Sequence, residues 1–162
     1  MQLISHRWLD PLNEEFFYTE SSKEAFENIL ERWYWLEIDI NFTRDLIPFV
    51  FHDSWLKRIS NWKDNRNFSD IKWFDIKNYE LPNECHFISL ETLFELIENN
   101  QKVWIQSALH LKSKFQSKEL LDILVRHIRK YPNILQKLFV FDVKIDTAKY
   151  LKDKLPEIQL FF

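Results

Sequence analysis

At 162 residues, 46% of them hydrophobic and 29% charged, the chain has the length and balance of one globular domain with room for a core. Its formal charge of −3 gives no footprint for nucleic acid, no apolar run approaches the ~18 residues of a membrane span, and the first residues lack a signal-peptide pattern. The single cysteine, Cys85, excludes an intrachain disulfide and fits a reducing compartment, so the expectation is a cytoplasmic protein.

Residues 2–5 form a short apolar strand that ends in His6 and Arg7, and residues 9–20 are polar and irregular, a loop over the strand ends. Ser21 or Ser22 caps a helix to about Arg32, with Glu24 in its first turn and Ala25, Phe26, Ile29 and Leu30 as its apolar stripe. Strands follow at about 34–41 and 47–51, and then a charged, aromatic stretch at 54–84 with Asn-rich turns and Pro82. Ser89 caps a helix to about Asn99 with Leu90, Leu93, Phe94 and Ile97 inward. A strand at 103–110 leads to a helix from Ser117 to about Tyr131, whose stripe is Leu120, Leu121, Leu124, Val125 and Ile128. Strand 138–142, helix 146–155 and strand 158–162 complete the chain. Strand and helix in alternation, with apolar strands, give parallel β/α units in a single domain spanning 1–162.

Glycine is absent, so tight turns must use Asn, Asp and Pro, with Asp64-Asn65, Asn99-Asn100 and Pro132-Asn133 as candidates. Aromatics reach 17%, and Trp33, Tyr34, Trp35, Trp55, Trp62 and Trp73 offer an apolar wall or a subunit interface.

The chemistry concentrates in Trp35 to Asp53, WLEIDINFTRDLIPFVFHD. Side chains alternate across a strand, so Glu37 and Asp39 share one face while Leu36, Ile38 and Ile40 take the other. Two neighbouring carboxylates repel and lose solvation unless a positive group lies between them, and a hard divalent cation is the simplest such group. His52 closes the second strand, at the kind of strand end where α/β proteins place their sites. The competing reading is a solvated strand face with a chance histidine. His86 and His127 read as surface residues.

These residues, in this order, resemble the glycerophosphodiester phosphodiesterase family. Its His-Arg-Gly after the first strand is matched by His6-Arg7-Trp8, and its Pro-Glu-Asn-Thr by Thr19-Glu20-Ser21-Ser22. Its Glu-x-Asp, Thr-(Lys/Arg)-Asp and His-Asp are matched by Glu37-Ile38-Asp39, Thr43-Arg44-Asp45 and His52-Asp53. Leu56-Lys57-Arg58, Ser89-Leu90-Glu91, Phe141-Asp142 and Leu155-Pro156-Glu157-Ile158 are similar to its later motifs. The resemblance implies an eight-stranded (β/α) TIM barrel of about 250 residues. This chain stops near the fifth strand, so a partial barrel, or an open sheet with a hairpin, is expected, with 54–84 as an insertion beside the site. Uncovered strand edges and the apolar Leu160-Phe161-Phe162 point to a homodimer.

The resemblance further implies hydrolysis of a small polar phosphodiester. Glu37 and Asp39 would hold Mg²⁺ or Ca²⁺, His6 and His52 would transfer protons, and Arg7 would bind a nonbridging oxygen. Glu20 would orient Arg7 or a substrate hydroxyl. The family's third metal ligand falls on Gln106 by ordinary spacing, or on His110 after a four-residue slide that also makes Lys112 the phosphate-binding lysine. Trp8 stands where the family has glycine, and the alternative is a degenerate member that binds a phosphorylated ligand or partner without turnover.

Overall fold

Serine side chains start the helices. Ser22, Ser89 and Ser117 each accept a hydrogen bond from the backbone N–H three residues on, in Ala25, Thr92 and Leu120, satisfying one of the orphan donors of a helix start. The computed structural model describes residues 4–5, 17–32, 34–100 and 106–162. Its helices are α1 (Lys23–Glu31), α2 (Trp73–Lys77), α3 (Leu90–Asn99), α4 (Lys118–Lys130), α5 (Ile134–Lys137) and α6 (Ile145–Lys154). Its strands are β1 (Ile4–Ser5), β2 (Trp35–Phe42), β3 (Pro48–Val50), β4 (Ile88–Ser89), β5 (Ser107–His110), β6 (Leu138–Phe141) and β7 (Gln159–Leu160). None of the helices is long and apolar enough to cross a membrane.

One sheet carries all of these strands, in the order β4-β3-β2-β5-β6-β7, with β1 also on β2. Strands β1, β2, β5, β6 and β7 run parallel. Strand β2 does two jobs. Its first half pairs in parallel with β5, from Leu36↔Ser107 to Asp39↔His110, and its second half pairs antiparallel with β3, from Ile40↔Val50 to Phe42↔Pro48. The result is an incomplete barrel whose antiparallel part is the β2–β3 hairpin. Strand β4 and the short helices α2 and α5 are additions to the elements expected from the sequence.

Helix stripes and sheet close on a main core in which Leu36, Ile38 and Ile40 are fully buried with Phe26, Ile29, Phe94, Leu109 and Val140. The 54–84 segment has a smaller core of its own on the hairpin, where Phe49, Phe51, Phe68 and Phe87 pack edge to face and Leu56 and Ile76 are buried with them. The Thr43-Arg44-Asp45 turn ties that segment down. Thr43 Oγ1 donates to Asp45 Oδ1 (2.6 Å), Trp73 N donates to the same oxygen (2.9 Å), and Arg44 N donates to the Ile71 carbonyl (2.8 Å).

Of the glycine-free turns expected, Pro132-Asn133 forms one, closed by Ile134 N donating to the Tyr131 carbonyl (3.0 Å). Left-handed backbone occurs at Ser21, Leu46, Asn61, Trp62, Asn83, Glu84 and Asp142, whereas Asn100 and Asn133 have φ of −76° and −72°. Asn61, Asn83 and Asp142 are residue types that tolerate this region, but Leu46 and Trp62 are not, so at those two the tertiary path sets the backbone. Leu46, with φ 60° and 38% exposure, is the clearest case. Leu46→Gly should therefore raise stability by about 0.5–1 kcal/mol and Leu46→Val should lower it, read as opposite shifts of the urea midpoint at constant slope.

Candidate active site at the strand ends

The polar face of β2 is buried. Glu37, Asp39 and Asn41 are 9%, 3% and 2% exposed, so this is not a solvated strand face. Asn41 sets the corner of the hairpin: its amide donates to the carbonyls of Phe51 (2.6 Å) and Asp53 (2.8 Å), while Phe51 N donates to the Asp39 carbonyl (3.0 Å). These bonds turn the chain so that His52 and Asp53 leave β3 alongside Asp39.

The parallel register brings in the third group. Asp39 and His110 are Cα partners, and residues on one rung point to the same face. One ligand atom each from Glu37, Asp39 and His110 lies within 4.8 Å of the others. His110 Nδ1 is 2.9 Å from Asp39 Oδ1, and its Nε2 is 3.2 Å from Asp142 Oδ2. The Phe141 ring stacks on the imidazole at 4.8 Å with an 11° tilt. Gln106 lies four residues back, where its carbonyl accepts from Leu36 N (3.0 Å), so of the two candidates His110 is the one beside Asp39. Lys112 Nζ is 3.0 Å from Asp39 Oδ1 and also donates to the His52 carbonyl.

Burial alone would raise the Asp39 pKa, but the His110 hydrogen bond and the Lys112 charge outweigh it and hold the carboxyl below its usual range. The bond to Asp39 pushes His110 upward, against burial, and Asp142 adds to the rise.

A second ionic chain supports His52. Its Nδ1 is 2.8 Å from Asp53 Oδ1, which turns Nε2 away from the carboxylate. Arg58 Nε donates to Asp53 Oδ2 (2.6 Å), and Arg58 Nη2 donates to Glu20 Oε1. Burial tends to raise the Asp53 pKa, but Arg58 and His52 together hold it low. A shallow pocket of about 400 Å³ opens here, lined by His52, Asp53, Ser54, Trp55, Asn67 and Lys112.

The structure thus brings together Glu37, Asp39, His110, Lys112 and His52, and places Glu20 on Arg58 at the edge of the group. His6, Arg7 and Trp8 lie outside the described residues. Four site neighbours were passed over as functional in the sequence: Asn41, Asp53, Arg58 and Asp142. Asn41 continues the period-two series of Glu37 and Asp39, and that phase was the available signal. Asp53, Arg58 and Asp142 stood inside matched motifs without a role. His86 is exposed and bonded to Glu24 (2.7 Å), and the half-buried His127 bonds its own helix at Ile123 (2.9 Å), both apart from the site.

A parallel β/α barrel segment with buried acids and histidine at its strand ends defines a class of barrel proteins whose sites sit at one rim. Residues 15–162 match the Glycerophosphoryl diester phosphodiesterase family, and the chain belongs to that family. No curated protein sequence matches it. Solved structures share its fold. A Galdieria sulphuraria protein assigned to the glycerophosphodiester phosphodiesterases aligns at TM-score 0.81 and 18% identity, over 99% of this chain and 63% of its own. A glycerophosphoryl diester phosphodiesterase from Parabacteroides distasonis aligns at 0.74 and 21%, over 98% and 53%. An Oleispira antarctica phosphodiesterase, solved with its product sn-glycerol-3-phosphate, aligns at 0.77 and 18%, over 99% and 65%. The chain therefore spans less than two thirds of the length of each of these proteins.

Arg58, together with His52, holds the Asp53 pKa down. In Arg58→Ala the Asp53 pKa should rise, since burial then acts against His52 alone. Carboxyl-carbon NMR titration reads this directly, and an unchanged Asp53 would contradict the arrangement. The sign for stability follows: a depressed folded pKa contributes stability above the unfolded value, and that contribution fades as pH falls through the folded one. Arg58 is about half exposed, so solvent screening keeps the effect small.

Proposed function

We propose that the chain is a metal-dependent phosphodiesterase that hydrolyses a small polar diester of the glycerophosphodiester type. The observation that carries this reading is the buried Glu37–Asp39 pair meeting His110 and Lys112 directly beside the His52 corner. Family membership and the glycerol phosphate product of the Oleispira antarctica phosphodiesterase support the substrate class.

The donor set fits a divalent cation: Glu37, Asp39 and His110 offer two carboxylate oxygens and an imidazole nitrogen within 4.8 Å of one another. When bound, the cation offsets negative charge on a phosphodiester oxygen. The protein's own groups do the rest. Lys112, already at the mouth of the pocket, neutralises a second nonbridging oxygen. His52, steadied at Nδ1 by Asp53, exchanges a proton through Nε2. His6 is its counterpart, and Arg7 the further phosphate ligand. One imidazole takes the proton of the attacking water or neighbouring substrate hydroxyl as the new P–O bond forms. The other, as imidazolium, gives its proton to the departing alkoxide as the old P–O bond breaks. Glu20 acts through Arg58, which fixes Asp53 and thereby the His52 ring.

One observation favours a second reading, a member that binds a phosphorylated ligand without turnover. Asp39 already has His110 and Lys112 as positive or hydrogen-bonding partners, so the strand's charge can be offset with no cation at all.

His52→Ala should slow hydrolysis of bis(p-nitrophenyl) phosphate by about 10²–10⁴-fold while leaving the thermal midpoint in place. Wild-type protein that turns over no diester across Mg²⁺, Ca²⁺, Mn²⁺ and Zn²⁺, yet binds glycerol phosphate, would establish the second reading. Turnover unaffected by His52→Ala would remove His52 from the chemistry.

A further inference from the structure

We propose that His110 makes this centre a nitrogen–oxygen site for a borderline transition cation of the Zn²⁺ type, and that Asp142 is the positioning residue that aims His110 into it. The proposal rests on the metal-dependent reading above and sharpens it.

The argument starts from the two ring nitrogens. Nε2 faces the Asp142 carboxylate at 3.2 Å. Nδ1 faces a second carboxylate, Asp39 Oδ1 at 2.9 Å. A carboxylate only accepts, so a cation taken up between Nδ1 and Asp39 would replace the proton on that side, while the proton on Nε2 stays with Asp142. This is the carboxylate–histidine arrangement that fixes tautomer and ring orientation for metal binding. The stacked Phe141 ring limits rotation of the imidazole.

Asp142 is built into this role. It follows β6, where Phe141 pairs with His110, and its backbone is left-handed with φ 61°. Gln116 Nε2 donates to both the Asp142 and Leu111 carbonyls, each at 2.7 Å, and so ties the ends of β5 and β6 together. Among the described residues, the hydrogen-bond partner of the exposed Asp142 carboxylate is His110.

Donor type then selects the ion. Mg²⁺ and Ca²⁺ favour all-oxygen shells, whereas imidazole suits Zn²⁺ and Co²⁺. One nitrogen and two oxygens from the protein leave a fourth tetrahedral position open, the pattern of zinc sites that bind substrate.

The test is calorimetric titration of the full chain with Zn²⁺, Co²⁺, Mg²⁺ and Ca²⁺, together with the visible absorption of the Co²⁺ form. Wild type should prefer Zn²⁺ and Co²⁺, and His110→Glu should lower the Zn²⁺-to-Mg²⁺ affinity ratio about tenfold or more and shift the Co²⁺ bands. Asp142→Gly removes the carboxylate while keeping a residue suited to φ 61°, and should weaken Zn²⁺ by about 10–100-fold. Asp142→Asn, whose amide oxygen still accepts from Nε2, should restore part of that loss. Wild type that binds Mg²⁺ or Ca²⁺ as tightly as Zn²⁺, with Asp39→Asn abolishing both, overturns this proposal and leaves the metal-dependent reading intact. Asp142→Gly with wild-type Zn²⁺ affinity overturns the positioning role. No binding of any of the four cations overturns the proposal and the reading beneath it together.

Discussion

Two carboxylates buried on one face of β2 are the constraint around which this protein is arranged. Glu37 and Asp39 face inward while Leu36, Ile38 and Ile40 fill the core behind them. An isolated buried carboxylate is expensive, and two neighbouring ones more so. Among the described residues, the side chains bonded to Asp39 are His110 and Lys112. His110 arrives on the facing rung of β5, Lys112 follows two residues later, and the hairpin corner folds back through Asn41.

The same constraint explains the divided use of β2. A strand paired in parallel along its whole length would carry its polar face straight out of the sheet. Here the pairing changes partner between Asp39 and Ile40, and β3 returns antiparallel. That exchange brings His52 next to Asp39 within 13 residues of chain, and leaves the 54–84 segment to be anchored by the Thr43–Asp45 turn. The Glu20–Arg58–Asp53–His52 chain is then a second layer: it spans the segment and the loop before α1, and holds the ring that faces the pocket.

Much of this was legible in the sequence. Alternation along β2 assigned Glu37 and Asp39 to one face, serine caps marked three helix starts, and repeated strand and helix gave parallel β/α units. The choice between Gln106 and His110 was not legible, because both lie in the same strand phase and only the register with β2 separates them. Left-handed backbone at Leu46 and Trp62 was not legible either, because nothing in those side chains favours it and the tertiary path sets it. The role of Asp142 depends on a partner 32 residues away, and the link from Arg58 to Glu20 spans 38, distances at which spacing carries no information. The family match pointed to the kind of chemistry to propose; the register of this chain put His110, one of the two candidates, beside Asp39.

The central claim is that Glu37, Asp39 and His110 together hold a cation. Anomalous diffraction from crystals grown with Zn²⁺ tests it most directly. The account predicts a peak at about 2.0–2.2 Å from an oxygen of Glu37, an oxygen of Asp39 and Nδ1 of His110, with Nε2 still on Asp142. A centre with no peak, in which Lys112 and a protonated His110 alone neutralise Asp39, would contradict it.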